Sequence, residues 1–484
     1  LQRYNYDKNG IKDENSFQIK LHAERLRRVE NYNELINKQK TFFNTGKTKD
    51  IEFRLEALQK LRSAIKKHEN DLLKALKDDL NKSEFDAYIT EIGVLLEEIR
   101  FTLKHLRSWA KPEKVRTPLT HIGSRSFILS DPYGVALIIS PWNYPFQLAI
   151  APLIGAIAAG NCAIIKPSEL TPRTSELLAQ IIAETFPSEY ISAVLGGVET
   201  SQALLNERVD YIFFTGSVQV GKVIMEAASK NLTPVTLELG GKSPCVVHED
   251  ANIKLAAKRI AWGKFINAGQ TCVAPDYLYI HKNIKREFLT ELQKAIVELY
   301  GELPLENDDY THIVSKKHYD RLCSFLNNGD LFLGGKTRER ELVIEPTVLT
   351  NITWQDPVME DEIFGPILPV LEYSSLPEII EGIHEHPNPL ALYLFTEDRK
   401  VQEEILHHIT FGGGCINDTV YHLASPHLPF GGVGNSGTGS YHGKASFDTF
   451  SHKKSILKQT NTFDIPFRYP NMKNGLKRIK LFLK

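Results

Sequence analysis

Apolar residues fall at helical spacing from Asn31 to about Lys111, as in Phe53, Leu55, Leu58, Leu61 and Ile65, and again in Ile92, Leu95, Leu96, Ile99 and Leu103. The spacing predicts two or three amphipathic helices. Ahead of them, Leu1 to about Arg28 is polar, mixed in charge and without sustained periodicity, which reads as a tail. Pro112, Pro118, Pro132 and Pro141 then punctuate the chain, and the apolar stretch from Ser126 to Ser130 reads as a short strand in a hairpin-like excursion.

The pattern changes at Gly134. No charged residue occurs from Gly134 to Ile165, yet Pro141, Asn143, Pro145, Pro152 and Gly160-Asn161 interrupt the run too often for a helix that crosses a bilayer. The run reads instead as a strand (Val135 to Ser140), a loop, an apolar helix (Phe146 to Ala159) and a strand (Cys162 to Lys166), a βαβ unit covered on both faces. Helix from Ser175 to Phe186, strand from Ile191 to Leu195, helix from Thr200 to Leu205 and strand from Tyr211 to Phe214 continue the alternation. Such alternation predicts a parallel sheet with helices on both faces. A second α/β segment is expected to start at Thr236, with helices at Ile253 to Phe265, Ile284 to Tyr300 and Leu376 to His384 around a strand at Tyr277 to Ile280. The fold class is α/β.

Composition narrows the function classes. The chain has 484 residues, 42% hydrophobic and 24% charged, enough for two domains with full cores. With 58 basic and 59 acidic residues the net charge is -1, so nothing draws the whole molecule to nucleic acid. Cys162, Cys245, Cys272, Cys323 and Cys415 are scattered, with no CxxC pair and no Cys/His cluster at ligand spacing. Neither a disulfide framework nor a metal site is expected, and a reducing, cytoplasmic setting fits. No apolar segment follows the first basic residues, so a secretory signal is not expected.

Five stretches carry candidate chemistry. Gly269-Gln270-Thr271-Cys272-Val273-Ala274-Pro275 sets a thiol among small and polar neighbours, where it could be a nucleophile or an ordinary buried cysteine. Tyr211 to Phe214 runs through Thr215-Gly216-Ser217 into a helix containing Gly221-Lys222, a strand–turn–helix that suits a phosphate-bearing ligand. Its GxxxxGK spacing is that of an NTPase loop, but Val223 stands where such a loop needs a hydroxyl for magnesium. Glu238 lies in an apolar setting that raises a carboxyl towards the range of a general base. Asp361-Glu362 precedes the apolar turn Ile363-Phe364-Gly365-Pro366, and a carboxylate there could accept hydrogen bonds from a sugar diol. Finally, Leu428 to Lys444 packs six glycines before Phe447 and Phe450, as expected where backbone closely approaches a site.

In order along the chain, Pro141-Trp142-Asn143-Tyr144-Pro145, Lys166-Pro167-Ser168-Glu169, Phe214-Thr215-Gly216-Ser217, Glu238-Leu239-Gly240-Gly241, Gly269-Gln270-Thr271-Cys272, Glu362-Ile363-Phe364-Gly365-Pro366 and Leu428-Pro429-Phe430-Gly431-Gly432 resemble the motif series of the NAD(P)-dependent aldehyde dehydrogenases. The resemblance runs from about Leu35 to about Lys454. Cys272 to Tyr277 and Ser440 to Lys444 look like its class-three branch, which oxidises fatty and aromatic aldehydes, accepts NAD or NADP and is typically dimeric. The resemblance implies two doubly wound parallel-sheet domains and a small β oligomerisation arm. On that basis residues 1–30 are a tail, 31–124 with 137–236 the helices and Rossmann-like cofactor domain, 237–418 the catalytic domain, 125–136 with 445–462 the arm, and 463–484 a basic tail.

The resemblance also implies roles. Cys272 would add to the aldehyde carbonyl, Asn143 and the Cys272 N–H would hold the oxyanion, and Glu238 would activate the water that cleaves the thioester, with Glu362 as the other candidate base. Lys166 and Glu169 would contact the adenosine ribose, and Gly216, Ser217 and Gly221 would lie by the pyrophosphate. Leu239 and Gly240 complete the cofactor wall, and Glu362 and Phe364 would hold the nicotinamide ribose and ring. Tyr144 and Trp262 would line the substrate entrance, or simply pack in the core.

The end of the chain stands apart. From Lys453 to Lys484 there are nine Lys or Arg against Asp464, with Leu476, Ile479 and Leu483 on one helical face and Lys477, Lys480 and Lys484 on an adjoining one. The pattern fits a helix docked on its own or a partner subunit, or one lying weakly on an anionic membrane surface. Two other functions stay open beside the dehydrogenase: a coenzyme A-acylating relative that passes the thioester to a thiol, and a structural protein that keeps the fold. A carboxylate at Glu169 repels a 2′-phosphate, so kcat/KM is expected to be higher with NAD than with NADP; a higher value with NADP would refute this reading of Glu169.

Overall fold

The computed structural model describes residues 32–465 and 468–482. The expected N-terminal tail lies outside the described residues, as do Leu483 and Lys484. The N-terminal helices are Tyr32–Asn44, Ile51–Lys67, Glu69–Leu80 and Gly93–Trp109, the third helix ending on Asn81 in the left-handed region. Their buried stripe, including Leu58, Leu61, Ile65, Ile99 and Leu106, packs on the apolar helix Gln147–Ala159. That helix is buried all round, which is why it carries no charge.

Two sheets follow. The first has six strands in the order Gly437–Thr438, Val235–Glu238, Tyr211–Thr215, Val135–Ile139, Cys162–Lys166, Ile191–Ala193. All neighbours are parallel except the antiparallel Gly437–Thr438. The chain goes from the central Val135–Ile139 to one side and then returns to the other, so a topological switch point falls between Val135–Ile139 and Tyr211–Thr215. Ligands of doubly wound sheets bind outside the carboxyl ends of strands at such a point.

The second sheet has seven strands in the order Asp330–Leu333, Thr347–Thr350, Ile367–Tyr373, Tyr277–His281, Pro244–Val247, Ala391–Phe395, Gly413–Ile416. Only the first pair is antiparallel. A third sheet joins Glu113–Val115, Arg125–Pro132 and Ser451–Lys458, so the segment expected as a hairpin pairs also with a strand from near the end of the chain.

Three boundaries differ from the expectation. Thr236 to Glu238 does not begin the second unit, because Val235–Glu238 is hydrogen-bonded beside Tyr211–Thr215 in the first sheet. The range 445–462 is not all strand: Lys444–Thr449 is a helix packed on Gln147–Ala159, where Ser446 and Phe450 fill the notch at Gly155. The glycine-rich stretch is not merely loop, since Gly437–Thr438 joins the first sheet beside Glu238. At the basic end Gly475–Phe482 is helical and Leu476 is exposed. Among the described residues no helix is long and apolar enough to cross a membrane.

Candidate active site

Ser140 to Asn143, Lys166, Gly216-Ser217 and Glu238 all lie at the carboxyl ends of parallel strands of the first sheet. Gly240-Gly241, Cys272 and Glu362 lie just before the second-sheet strands Pro244–Val247, Tyr277–His281 and Ile367–Tyr373. Hydrogen bonds between Asn143 and the turn Asn267 to Gln270 join the two groups, which are far apart in sequence.

Cys272 follows an unusual turn. Asn267 and Ala268 sit in the left-handed region at φ 54° and 52°, and Gly269 follows at φ 72°. Non-glycine residues held there cost on the order of 1–3 kcal/mol each and persist only where surroundings fix them. Here the surroundings do so. The Asn267 side chain donates to the carbonyl of Asn143 (3.0 Å) and to that of Gln270 (3.1 Å). The Gln270 amide donates to the carbonyls of Asn267 (3.1 Å) and His312 (3.0 Å) and accepts from the Val314 N–H (3.0 Å). Gly269 also lies against the Gly365 carbonyl so closely that no Cβ fits.

Asn143 is 3% exposed, and its Nδ2 donates one hydrogen to the Gln270 carbonyl at 3.0 Å, leaving the other free. The Tyr144 hydroxyl shares a 2.6 Å hydrogen bond with Thr271 Oγ1. Asn143 and Thr271, the neighbour of Cys272, are therefore tied to the same turn. Burial pushes the Cys272 thiol up to about 12, reinforced by the charges of Glu362 and Glu238 and opposed by the N–H groups of Cys272 and Val273. The sulfur rests as a thiol.

Glu238 is 3% exposed, and neither carboxylate oxygen has a hydrogen-bond partner among the described residues. Burial raises its pKa well above the usual carboxyl value. Glu362 is held up at about 8 by burial and by the charge of Asp276, against the Gly241 N–H. Its carboxylate occupies the space a side chain at Gly240 would need. Lys242 pins this loop by donating to Asp276 (2.7 Å) and to the carbonyls of Val358 (3.1 Å) and Asp361 (3.0 Å), while Asp276 accepts from the Ile363 N–H (3.0 Å). Phe364, at φ 53°, stands edge-on to Trp142 with ring centroids 5.3 Å apart.

The remaining sequence candidates spread along the same rim. Lys166 is buried and donates to the half-exposed Glu169 at 2.9 Å. Ser217 caps the helix Val218–Ser229, and the Gly216 N–H donates to the Glu238 carbonyl at 3.0 Å. Gly221 is not at that helix's open end: a side chain there would meet Leu239 at 2.6 Å, so its role is close packing of helix on sheet. The buried Leu239 supplies the other half of that contact. Trp262 is partly buried beside Tyr421, at 5.9 Å between rings. The hydroxyls of Ser140 and Thr215 are buried without a protein partner, so this rim suits a ligand rich in hydrogen-bonding groups.

Sequence reasoning missed Lys82, Glu91, Asn267 and Lys264. Lys82 and Glu91 form a wholly buried ion pair at 2.5 Å. Lys264 is buried without a partner, and burial pulls its ammonium down to about 8. Nothing in their spacing sets the charged three apart from surface residues, whereas Asn267 precedes a glycine turn and was open to a left-handed reading.

Comparison with known proteins adds independent information. A family model described as "Aldehyde dehydrogenase family" matches residues 20–456. The 4,4'-diaponeurosporen-aldehyde dehydrogenase of Staphylococcus aureus (strain NCTC 8325 / PS 47) is 52% identical over 92% of this chain and 97% of its own length. The "Aldehyde dehydrogenase, dimeric NADP-preferring" of Canis lupus familiaris is 44% identical over 90% of this chain and 97% of its own. A solved structure described as the substrate-bound state of Staphylococcus aureus AldH superposes with a TM-score of 0.92 at 51% identity, covering 93% of this chain and 99% of that one.

Because the Cys272 thiol is held up at about 12, its alkylation by iodoacetamide in the cofactor-free protein should accelerate about tenfold per pH unit between pH 7 and 9. A plateau in that range, followed by mass spectrometry of the Cys272 peptide, would contradict the desolvated thiol.

Proposed function

This chain belongs to the aldehyde dehydrogenase family, and from that premise we propose that it oxidises apolar aldehydes, medium- or long-chain aliphatic or aromatic, to carboxylic acids with NAD or NADP through a thioester on Cys272. The observation that carries the reading is the convergence of Cys272, Asn143 and the unpartnered Glu238 at the junction of the two sheets.

Each residue's part follows from its surroundings. The Cys272 sulfur forms a bond to the aldehyde carbon as its proton passes to water, the one proton that the overall oxidation releases. The carbonyl oxygen gains the charge, and the free Asn143 Nδ2 hydrogen and the Cys272 N–H offset it. NAD(P), when bound, would supply the hydride acceptor that turns the thiohemiacetal into the thioester. Glu238 then takes a proton from water as that water's oxygen attacks the thioester, returning the acid and the thiol. Its lack of any hydrogen-bond partner supports this choice over Glu362, which already accepts from Gly241. The ionised form of a carboxyl with a raised pKa is also the stronger base towards water.

Lys166, Glu169, Gly216 and Ser217 are the residues that would hold the adenosine and phosphate end, with Leu239 as wall, and Glu362 and Phe364 the nicotinamide end. The ion pair Lys166–Glu169 softens the repulsion of a 2′-phosphate, so NADP is accepted although NAD is preferred. Tyr144 and Trp262 line the aldehyde's path. The Staphylococcus aureus relative is named for 4,4'-diaponeurosporen-aldehyde, which supports that aldehyde as a further substrate to test. The name of the canine relative supports a homodimer, for which the sheet of Glu113–Val115, Arg125–Pro132 and Ser451–Lys458 is the proposed arm.

Mixing the protein with NAD or NADP and hexanal, decanal, benzaldehyde or acetaldehyde, each with and without coenzyme A, should raise reduced-nicotinamide absorbance most with decanal and benzaldehyde. Coenzyme A should not accelerate it, and Cys272→Ala should abolish it. Stimulation by coenzyme A would reassign the chain to acyl transfer.

A further inference from the structure

We propose that Lys82 and Glu91 are positioning residues for the oxyanion site, their buried ion pair fixing the direction in which Asn143 presents its amide to the substrate oxygen. The inference rests on the reading of Cys272 as nucleophile and Asn143 as oxyanion donor.

Lys82 follows the helix Glu69–Leu80, and Glu91 lies in the π-helical turn Tyr88–Ile92, a wide turn of the kind that recurs at functional sites. The two side chains are 1% and 0% exposed. The Lys82 ammonium has three hydrogens and three neighbours: Glu91 Oε1 at 2.5 Å, the Asn143 carbonyl at 3.0 Å and the Tyr144 ring face at 4.1 Å. The other Glu91 oxygen accepts from the N–H groups of Phe146 (3.1 Å) and Gln147 (2.9 Å), at the start of the helix Gln147–Ala159. One ion pair thus grips the backbone or ring of residues 143, 144, 146 and 147. Asn267 also donates to the Asn143 carbonyl at 3.0 Å, so the peptide group next to the Asn143 side chain is held by donors from two separate parts of the chain.

Stability alone does not account for this arrangement, because buried ion pairs are frequently no better than apolar residues of the same volume. Orientation does. Oxyanion donors act only when already aimed at the position the charge will occupy, and a displacement near 1 Å can cost about a hundredfold in rate.

The test uses two reagents on the same sulfur, neither of which needs a cofactor. Iodoacetamide alkylates Cys272 by displacement: the S–C bond forms as iodide leaves, with no oxyanion. p-Nitrophenyl acetate acylates it by addition, through an oxyanion that collapses to expel nitrophenolate. In Lys82→Met/Glu91→Leu, which replaces both charges with apolar groups, alkylation should stay near wild type while acylation falls about a hundredfold, and Tm should fall because the Phe146 and Gln147 N–H groups lose their acceptor. The same double change on an Asn143→Ala background should cause no further loss, because the pair acts through Asn143. Parallel falls in alkylation and acylation, unchanged acylation, or a loss that adds to that of Asn143→Ala would each overturn the proposal. Should the double variant not fold, Glu91→Gln carries the same comparison, with acylation expected to fall about tenfold and alkylation to hold; equal effects on the two would overturn it. A wild-type protein that alkylates at Cys272 but oxidises no aldehyde refutes the functional reading, whereas wild-type turnover with an unchanged ratio in the variants refutes only the positioning role.

Discussion

Desolvation is the physical constraint on which this site depends. Cys272, Glu238 and Glu362 are three neighbouring acids, Glu238 buried and the other two partly buried, and removal from water raises the proton affinity of each. Three anions there would repel one another in a medium that screens them poorly. The charges of Glu362 and Glu238 accordingly add to the rise of the Cys272 thiol. On the proposed mechanism the same low-dielectric setting strengthens the few fixed donors, the Asn143 amide and the Cys272 N–H, against an oxyanion.

A dry site works only if its donors cannot drift, and rigidity here is built from polar contacts that cross the junction of the sheets. Asn267, Gln270 and Lys82 converge on the Asn143 segment, while Lys242 and Asp276 pin the Glu362 loop. The glycines serve the same end by subtraction: Gly240 makes room for Glu362, and Gly269 lets the turn before Cys272 press on Gly365. The backbone strain at Asn267 and Ala268 is held by these bonds.

How much of this was legible depended on whether a residue acts through local pattern or through distant packing. The strands Val135–Ile139 and Cys162–Lys166 and the helix Ile253–Phe265 were readable because uncharged runs and helical spacing are local signals. The sixth strand Gly437–Thr438 was not, since two glycine-rich residues pair only because the sheet edge beside Glu238 receives them. Cys272, Asn143 and Glu238 were singled out through ordered motifs, and they lie near one another in the fold. Lys82 and Glu91 were invisible: a lysine after a helix and a glutamate on the next look solvent-exposed until the fold buries both.

The central claim is that an acyl group passes through the Cys272 sulfur and is released by water that Glu238 activates. Its most direct test is to mix Glu238→Gln with NAD and decanal, quench in acid and map adducts by mass spectrometry. The account predicts a decanoyl thioester on the Cys272 peptide, more abundant than in wild type, with turnover slowed. Normal turnover without that adduct, or an acyl group on another residue, would contradict it.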